Sequence, residues 1–227
     1  MTQGQGPVAS LPTPPGKDAE LPPLVLFDYD GVLADSFAVL SEAFLAASRK
    51  EGLAALRTPD DVKSLFEDNV YASLRRSGGT AAQVRRVLAR VSAAAVREAP
   101  TIAPFPGMPE AVTVLSEKWH IVIVTSNSEA VVAEWLRQHR VDGVSEVAGS
   151  ETATSKVEKI RRLVAAHPGQ QRPWFVGDTV GDMREACEAG ATPLGVAWGW
   201  HEPERLLVAG AERIARTPAE IVTIVSG

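Results

Sequence analysis

A chain of 227 residues, with 45% hydrophobic and 22% charged residues, has the composition of a globular protein that can bury a sizeable core. Its formal net charge of -5 argues against nonspecific nucleic-acid binding, which needs a basic face, and no apolar run approaches the length of a membrane span. The single cysteine, Cys187, excludes an intramolecular disulfide and fits a reducing, cytoplasmic setting. Its helical context, Arg184 to Ala189, points to a packed core thiol rather than a nucleophile.

Residues 1–23 are rich in Gly, Gln, Pro and Ser with little hydrophobic patterning, so they read as a disordered tail. No basic segment followed by an apolar core marks a signal peptide. The apolar run that begins at Leu24 is bounded by Pro22-Pro23 and by Gly31, and predicts a buried parallel strand over about Leu24 to Asp28. Asp28 and Asp30 close it. Side chains alternate along a strand, so the two carboxylates point the same way if the extended geometry persists to Asp30. Sharing one small site, they repel unless a cation neutralises them or one takes up a proton. The same Asp-x-Asp-Gly can be a plain turn, or a fragment of a calcium loop whose later ligands are missing.

A helical block spans about Phe37 to Ala99. Its first helix carries Leu40, Phe44 and Ala47; a second is opened by Pro59-Asp60-Asp61 and runs through Val62, Leu65, Val70 and Leu74 to Gly78-Gly79; a third is capped by Thr80. Extended connectors at Leu33–Asp35 and Pro100–Pro109 flank it, which looks like a small helical domain on a two-stranded hinge. The pattern then alternates. Helices over about 109–118, 129–140, 155–167 and 181–189 precede strands at 121–125, 145–148, 174–177 and 194–198. A weak strand near 213–215 and a helix from Pro218 end the chain. This alternation implies a parallel sheet with helices on both faces.

In such a sheet every strand delivers its carboxyl end to one edge, where ligands bind. The second strand ends Thr125-Ser126-Asn127-Ser128, which can form an anion pocket or merely cap the helix at Glu129. The fourth ends Gly177-Asp178-Thr179-Val180-Gly181-Asp182; Asp178 sits like Asp28, while Asp182 could be an N-terminal helix acid. Oxygen-only ligands suit Mg²⁺, and no Cys/His cluster offers zinc a site. Lys156 opens a helix, where the dipole disfavours a cation, so a phosphate or Asp182 is its expected partner; Lys159 reads as a solvated surface lysine. Trp198-Gly199-Trp200-His201 leaves the last core strand near the site and reads as packing.

Taken together and in order, Asp28-Tyr29-Asp30-Gly31-Val32-Leu33-Ala34-Asp35-Ser36, Thr125, Lys156 and Gly177-Asp178 with Asp182 resemble the four motifs of the haloacid dehalogenase-like hydrolase superfamily. The similarity runs from Leu24 to the C-terminal helix and is strongest to the phosphoglycolate-phosphatase-like branch. Tyr29 stands where Phe is commoner, and the third motif lacks the frequent Lys-Pro. The resemblance implies a doubly wound, Rossmann-like α/β core (24–36 and 105–227) with a small inserted α-helical cap domain (37–104). It implies a Mg²⁺-dependent phosphatase that hydrolyses a small, phosphoglycolate-like phosphomonoester through an aspartyl-phosphate. Asp28 would be the nucleophile and Asp30 the acid/base; dehalogenases proper lack the second aspartate, so its presence favours phosphoryl transfer. Thr125, Ser126, Asn127 and Lys156 would bind phosphate. Asp28, the backbone carbonyl of Asp30, Asp178 and Asp182 would hold the metal. The implied partner is a small phosphorylated metabolite, with no nucleic acid or membrane, for a monomer or homodimer. A β-phosphoglucomutase-like mutase and a catalytically silent binding protein are the alternatives. Ser36, Glu42, Arg49, Tyr71 and Arg75 are candidates to face the substrate.

Overall fold

The computed structural model describes residues 22–153, 155–168 and 172–227; the segment read as a tail lies outside them apart from Pro22 and Pro23. The chain opens with strand β1 (Leu24–Phe27) and enters helices α1 (Phe37–Glu51), α2 (Pro59–Leu65), α3 (Val70–Arg76) and α4 (Ala81–Glu98). It then alternates through α5 (Met108–Ser116), β2 (His120–Val124), α6 (Glu129–His139), β3 (Glu146–Ala148), α7 (Lys156–Ala166), β4 (Trp174–Gly177), α8 (Val180–Ala189) and β5 (Thr192–Val196). Helix α9 (Pro203–Val208), strand β6 (Arg213–Ala215) and α10 (Pro218–Ser226) complete it.

The six strands form one parallel sheet in the order β3-β2-β1-β4-β5-β6. This is a doubly wound, Rossmann-like arrangement. The strand order reverses between β1 and β4, and ligands bind at such a switch point. Strand alternation explains why β1 is apolar throughout. Val25 and Phe27 pack into the layer holding Met108, Trp135 and Ile221, while Leu24 and Leu26 face the layer holding Ile160 and Ala186. A separate apolar cluster, built on Leu40, Phe44, Val62, Leu74, Val84 and Val87, joins α1 to α4, and Trp200 packs against it. The two connectors to these helices run antiparallel. Asp35 N–H donates to Ala103 O at 2.9 Å and Phe105 N–H to Leu33 O at 2.9 Å.

Three features differ from the sequence reading. The helix expected from Pro59 to Gly78 breaks at residues 66–69. Asn69 caps a new helix by accepting from Ala72 N–H at 3.1 Å, and Gly181 N–H donates to Phe66 O at 2.9 Å, tying the break to the sheet edge. Helix α9 has no counterpart in the expected elements; its short turn buries only Leu206. Cys187 is exposed rather than packed, because α8 turns Met183, Ala186 and Ala189 inward.

The fully buried Phe175 of β4 and the 91% exposed Val208 make a contrasting pair. Phe175→Ala is expected to lower unfolding free energy by about 3–5 kcal/mol in denaturant titration, and Val208→Ala to change it by less than about 0.5 kcal/mol. Equal effects would contradict the assigned core.

Candidate active site

The carboxyl ends of β1, β2 and β4, together with the start of α7, converge on one cavity of about 370 Å³. The first end is shaped by a tight turn. Asp28 N–H still joins the ladder, donating to Val176 O at 2.8 Å, but Leu33 and Ala34 N–H both return to Tyr29 O at 3.0 Å. Gly31 makes this turn at φ 78, a left-handed conformation that side chains resist. A Cβ there would also collide with the Asp178 carboxylate. Asp30 therefore lies beyond the strand, yet it lines the same cavity as Asp28.

Asp178 closes the end of β4 and is fully buried. Its Oδ2 accepts from Trp200 N–H at 2.8 Å, whereas its Oδ1 is buried with no hydrogen-bond partner among the described residues. Asp182 serves two purposes. Its Oδ2 completes the capping box of α8, accepting from Thr179 N–H at 3.1 Å and Thr179 Oγ1 at 2.7 Å. Its Oδ1 meets Lys156 Nζ at 2.7 Å, and the same ammonium reaches Asp28 Oδ2 at 3.0 Å. The negative partner anticipated for a lysine at a helix start is thus present twice over.

One carboxylate oxygen each from Asp28, Asp178 and Asp182 lies within 4.8 Å of the others. Buried oxygen donors of like charge, one of them orphaned, fit a hard divalent cation. The charges bear this out. Burial pushes the Asp28 carboxyl up to about 8; Lys156 opposes the rise, and Asp182 and Asp30 add to it. Burial and then Asp182 hold Asp178 well above the usual carboxylate range. Burial also favours the neutral form of Asp182, but the Lys156 ammonium and the Thr179 hydrogen bonds outweigh it and lower that group. Burial raises Asp30 as well. The Asp30 carboxylate stands outside the triad, held by Asn127 Nδ2 at 2.7 Å.

Of the eight site residues expected from sequence, six line the cavity, and Thr125 and Asp178 do not. The Thr125 hydroxyl accepts from Asn127 N–H at 3.1 Å, bracing the loop that carries Ser126 and Asn127. Lys159 is a correction: it is 2% exposed, on the inner face of α7, and donates to Thr125 O at 2.6 Å. Its solvated appearance in sequence came from a spacing that does not reveal a main-chain acceptor across the sheet. Of the five candidates for facing the substrate, only Tyr71 lines the cavity; Arg75, for one, donates instead to Gly79 O. Sequence reading missed how the segment after β5 holds Asp178. A Cβ at Gly199 would clash with Asp178, and His201 N–H donates to Asp178 O at 3.2 Å. It also missed Phe66, Asp68, Asn69 and Glu185 in the wall. Helical spacing marks Phe66 as a packed residue but not as part of a wall, and no periodic pattern marks the other three, which lie at the helix break and on a helix flank.

The model of the haloacid dehalogenase-like hydrolase family matches residues 25–196. The chain belongs to this family. It is 25% identical over 214 residues to the phosphoglycolate phosphatase of Synechococcus elongatus, covering 89% of this chain and 96% of that protein. Its fold matches a predicted phosphatase of Clostridium acetobutylicum with TM-score 0.77 and 17% identity, over 91% of this chain and 99% of that one. A haloacid dehalogenase-like hydrolase of Streptococcus pneumoniae gives TM-score 0.72 and 21% identity, over 89% and 97%. In this haloacid dehalogenase-like hydrolase the acids Asp28 and Asp178 follow β1 and β4, the neighbouring strands at the switch point of the sheet.

The orphaned Asp178 oxygen yields a direct prediction. Mg²⁺ at about a hundred times its Kd is expected to stabilise the protein by about 2.7 kcal/mol, read as a rise in Tm of several degrees, and Asp178→Asn is expected to remove most of that rise. An equal rise in the variant would place the cation elsewhere.

Proposed function

We propose that this hydrolase is a Mg²⁺-dependent phosphomonoesterase that cleaves a small organic phosphate through an aspartyl-phosphate on Asp28. The observation that carries the reading is Lys156 bridging Asp28 and Asp182 beside an unpartnered Asp178 oxygen, at the floor of a cavity that Asp30 also lines. The similarity to a phosphoglycolate phosphatase supports it.

Asp28, Asp178, Asp182 and the main-chain carbonyl of Asp30 would hold Mg²⁺. When bound, the ion offsets repulsion between carboxylate and phosphate and stabilises charge on the transferring group. An Asp28 carboxylate oxygen attacks phosphorus and the bond to the ester oxygen breaks. Asp30, which burial keeps prone to hold a proton, gives that proton to the leaving oxygen. Asp30 then takes a proton from the water that attacks the phosphorus of the intermediate, releasing inorganic phosphate and restoring Asp28. Asn127 keeps the Asp30 carboxylate aimed during both transfers. Lys156 and the Ser126–Asn127 loop receive the phosphoryl oxygens, with Thr125 bracing that loop. The helices between the two connectors act as the cap, closing the cavity against water and contacting the leaving group.

Asp28→Asn is expected to abolish hydrolysis of p-nitrophenyl phosphate in Mg²⁺ with an unchanged circular-dichroism spectrum; activity near wild type would remove Asp28 from the nucleophile's role. Asp30→Asn is expected to lower kcat by about 10²–10⁴-fold for alkyl phosphates. EDTA is expected to stop turnover and Mg²⁺ to restore it, and an EDTA-insensitive enzyme would be incompatible with this site.

A further inference from the structure

The cavity wall above the acids is largely apolar and aromatic, with Asn69, Tyr71 and Ser92 its uncharged polar members. Phe66 stands edge-on to Trp200 with ring centroids 4.6 Å apart and edge-on to Phe44 at 5.8 Å, and Leu40, Val91 and Leu88 extend the same surface. Lys156 is the one cation among the described lining residues, and its ammonium already sits between Asp28 and Asp182. The cationic side chains nearby are engaged outside the wall. Lys63 lies over the Phe37 ring, Arg184 donates to Glu67 O at 2.7 Å, and Arg205 pairs with Glu67 at 2.6 Å. The acids present on the wall beyond the floor are Asp68, which Arg76 meets at 3.0 Å, and Glu185.

These charges and contacts constrain the organic half of the substrate. The phosphate dianion would take up the positive charge of Lys156 and of the bound cation. A second anion on the same molecule, such as a carboxylate, would be desolvated against aromatic rings with no counter-ion and with Glu185 on the wall. An apolar group would instead displace water from the wall and pack against Phe66 and Trp200. We infer that the substrate is a phosphomonoester of an uncharged, largely apolar alcohol of about aryl size, and not a phosphorylated carboxylic acid. A cavity of about 370 Å³ has room for such a group. The inference rests on the phosphomonoesterase reading and names its substrate class. It separates this chain from the phosphoglycolate phosphatase it is similar to, whose named substrate carries a carboxylate.

The test compares 2-phenylethyl phosphate, phosphoglycolate and glucose 6-phosphate, all primary alkyl esters, so leaving-group reactivity is nearly matched. In Mg²⁺ the wild-type kcat/KM for 2-phenylethyl phosphate is expected to exceed the other two by roughly a hundred-fold. Phosphoglycolate or glucose 6-phosphate turned over as fast or faster would overturn the inference and leave the phosphatase reading standing. Failure of every ester, p-nitrophenyl phosphate included, would overturn the phosphatase reading and the inference with it. Ser92→Arg adds a guanidinium to the wall at an exposed position of α4, so folding is not at stake. It is expected to raise kcat/KM for phosphoglycolate by roughly tenfold. An unchanged value in a folded variant would contradict the missing counter-ion as the cause.

Discussion

The cost of burying three carboxylates beside one another governs this structure. Asp28, Asp178 and Asp182 each bring an oxygen within 4.8 Å of the others. At about 5 Å and an effective dielectric constant of about 20, each like-charged pair costs about 3 kcal/mol. One ammonium, Lys156, lies 3.0 and 2.7 Å from Asp28 and Asp182 and offsets much of that repulsion, but not the cost of burying the charges. It lowers Asp182 but leaves Asp28 and Asp178 raised, so the group as it stands takes up protons. A divalent cation would relieve this without protonation and leave the Asp28 carboxylate charged, as the proposed nucleophile must be. Burial and repulsion together are thus what suit these three acids to a cation.

The fold keeps these acids in place against that repulsion. β1 and β4 are neighbours at the switch point, so Asp28 and Asp178 leave the sheet side by side. Asp178 cannot retreat. Gly31 and Gly199 press on it where any side chain would collide, and the main chain of Trp200 and His201 binds it from the far side. His201 in turn accepts from Val180 N–H at 2.8 Å and contacts Lys63 O at 3.0 Å, which links the start of α8 to α2. Phe66, Trp200 and Gly181 thus join the acid-bearing edge to the helices over it, and the acids and the apolar wall line one continuous cavity.

Much of this was legible in the sequence, and the part that was not has physical reasons. Each central strand is a short apolar run ending in a polar pair, so β1, β2 and β4 and the meeting of Asp28 and Asp178 could be read directly. The opening pair was ambiguous alone; the polar ends of the other strands, taken together and in order, decided it. The break between α2 and α3 was hidden because Val62, Leu65, Val70 and Leu74 keep helical spacing across it. Only the tertiary bond from Gly181 to Phe66 shows why the chain turns there. Lys159 was misread because its acceptor, Thr125 O, lies 34 residues away. The apolar wall was invisible for a related reason: its members come from α1, the α2–α3 break, α4 and the segment after β5.

The most direct measurement is an acid quench of the wild-type enzyme during turnover in Mg²⁺, followed by mass analysis of its peptides. A phosphoryl group on the peptide that holds Asp28, absent when EDTA replaces Mg²⁺, is the predicted result. Phosphate released steadily while that peptide stays unmodified, or a phosphoryl group on another residue, would contradict the account.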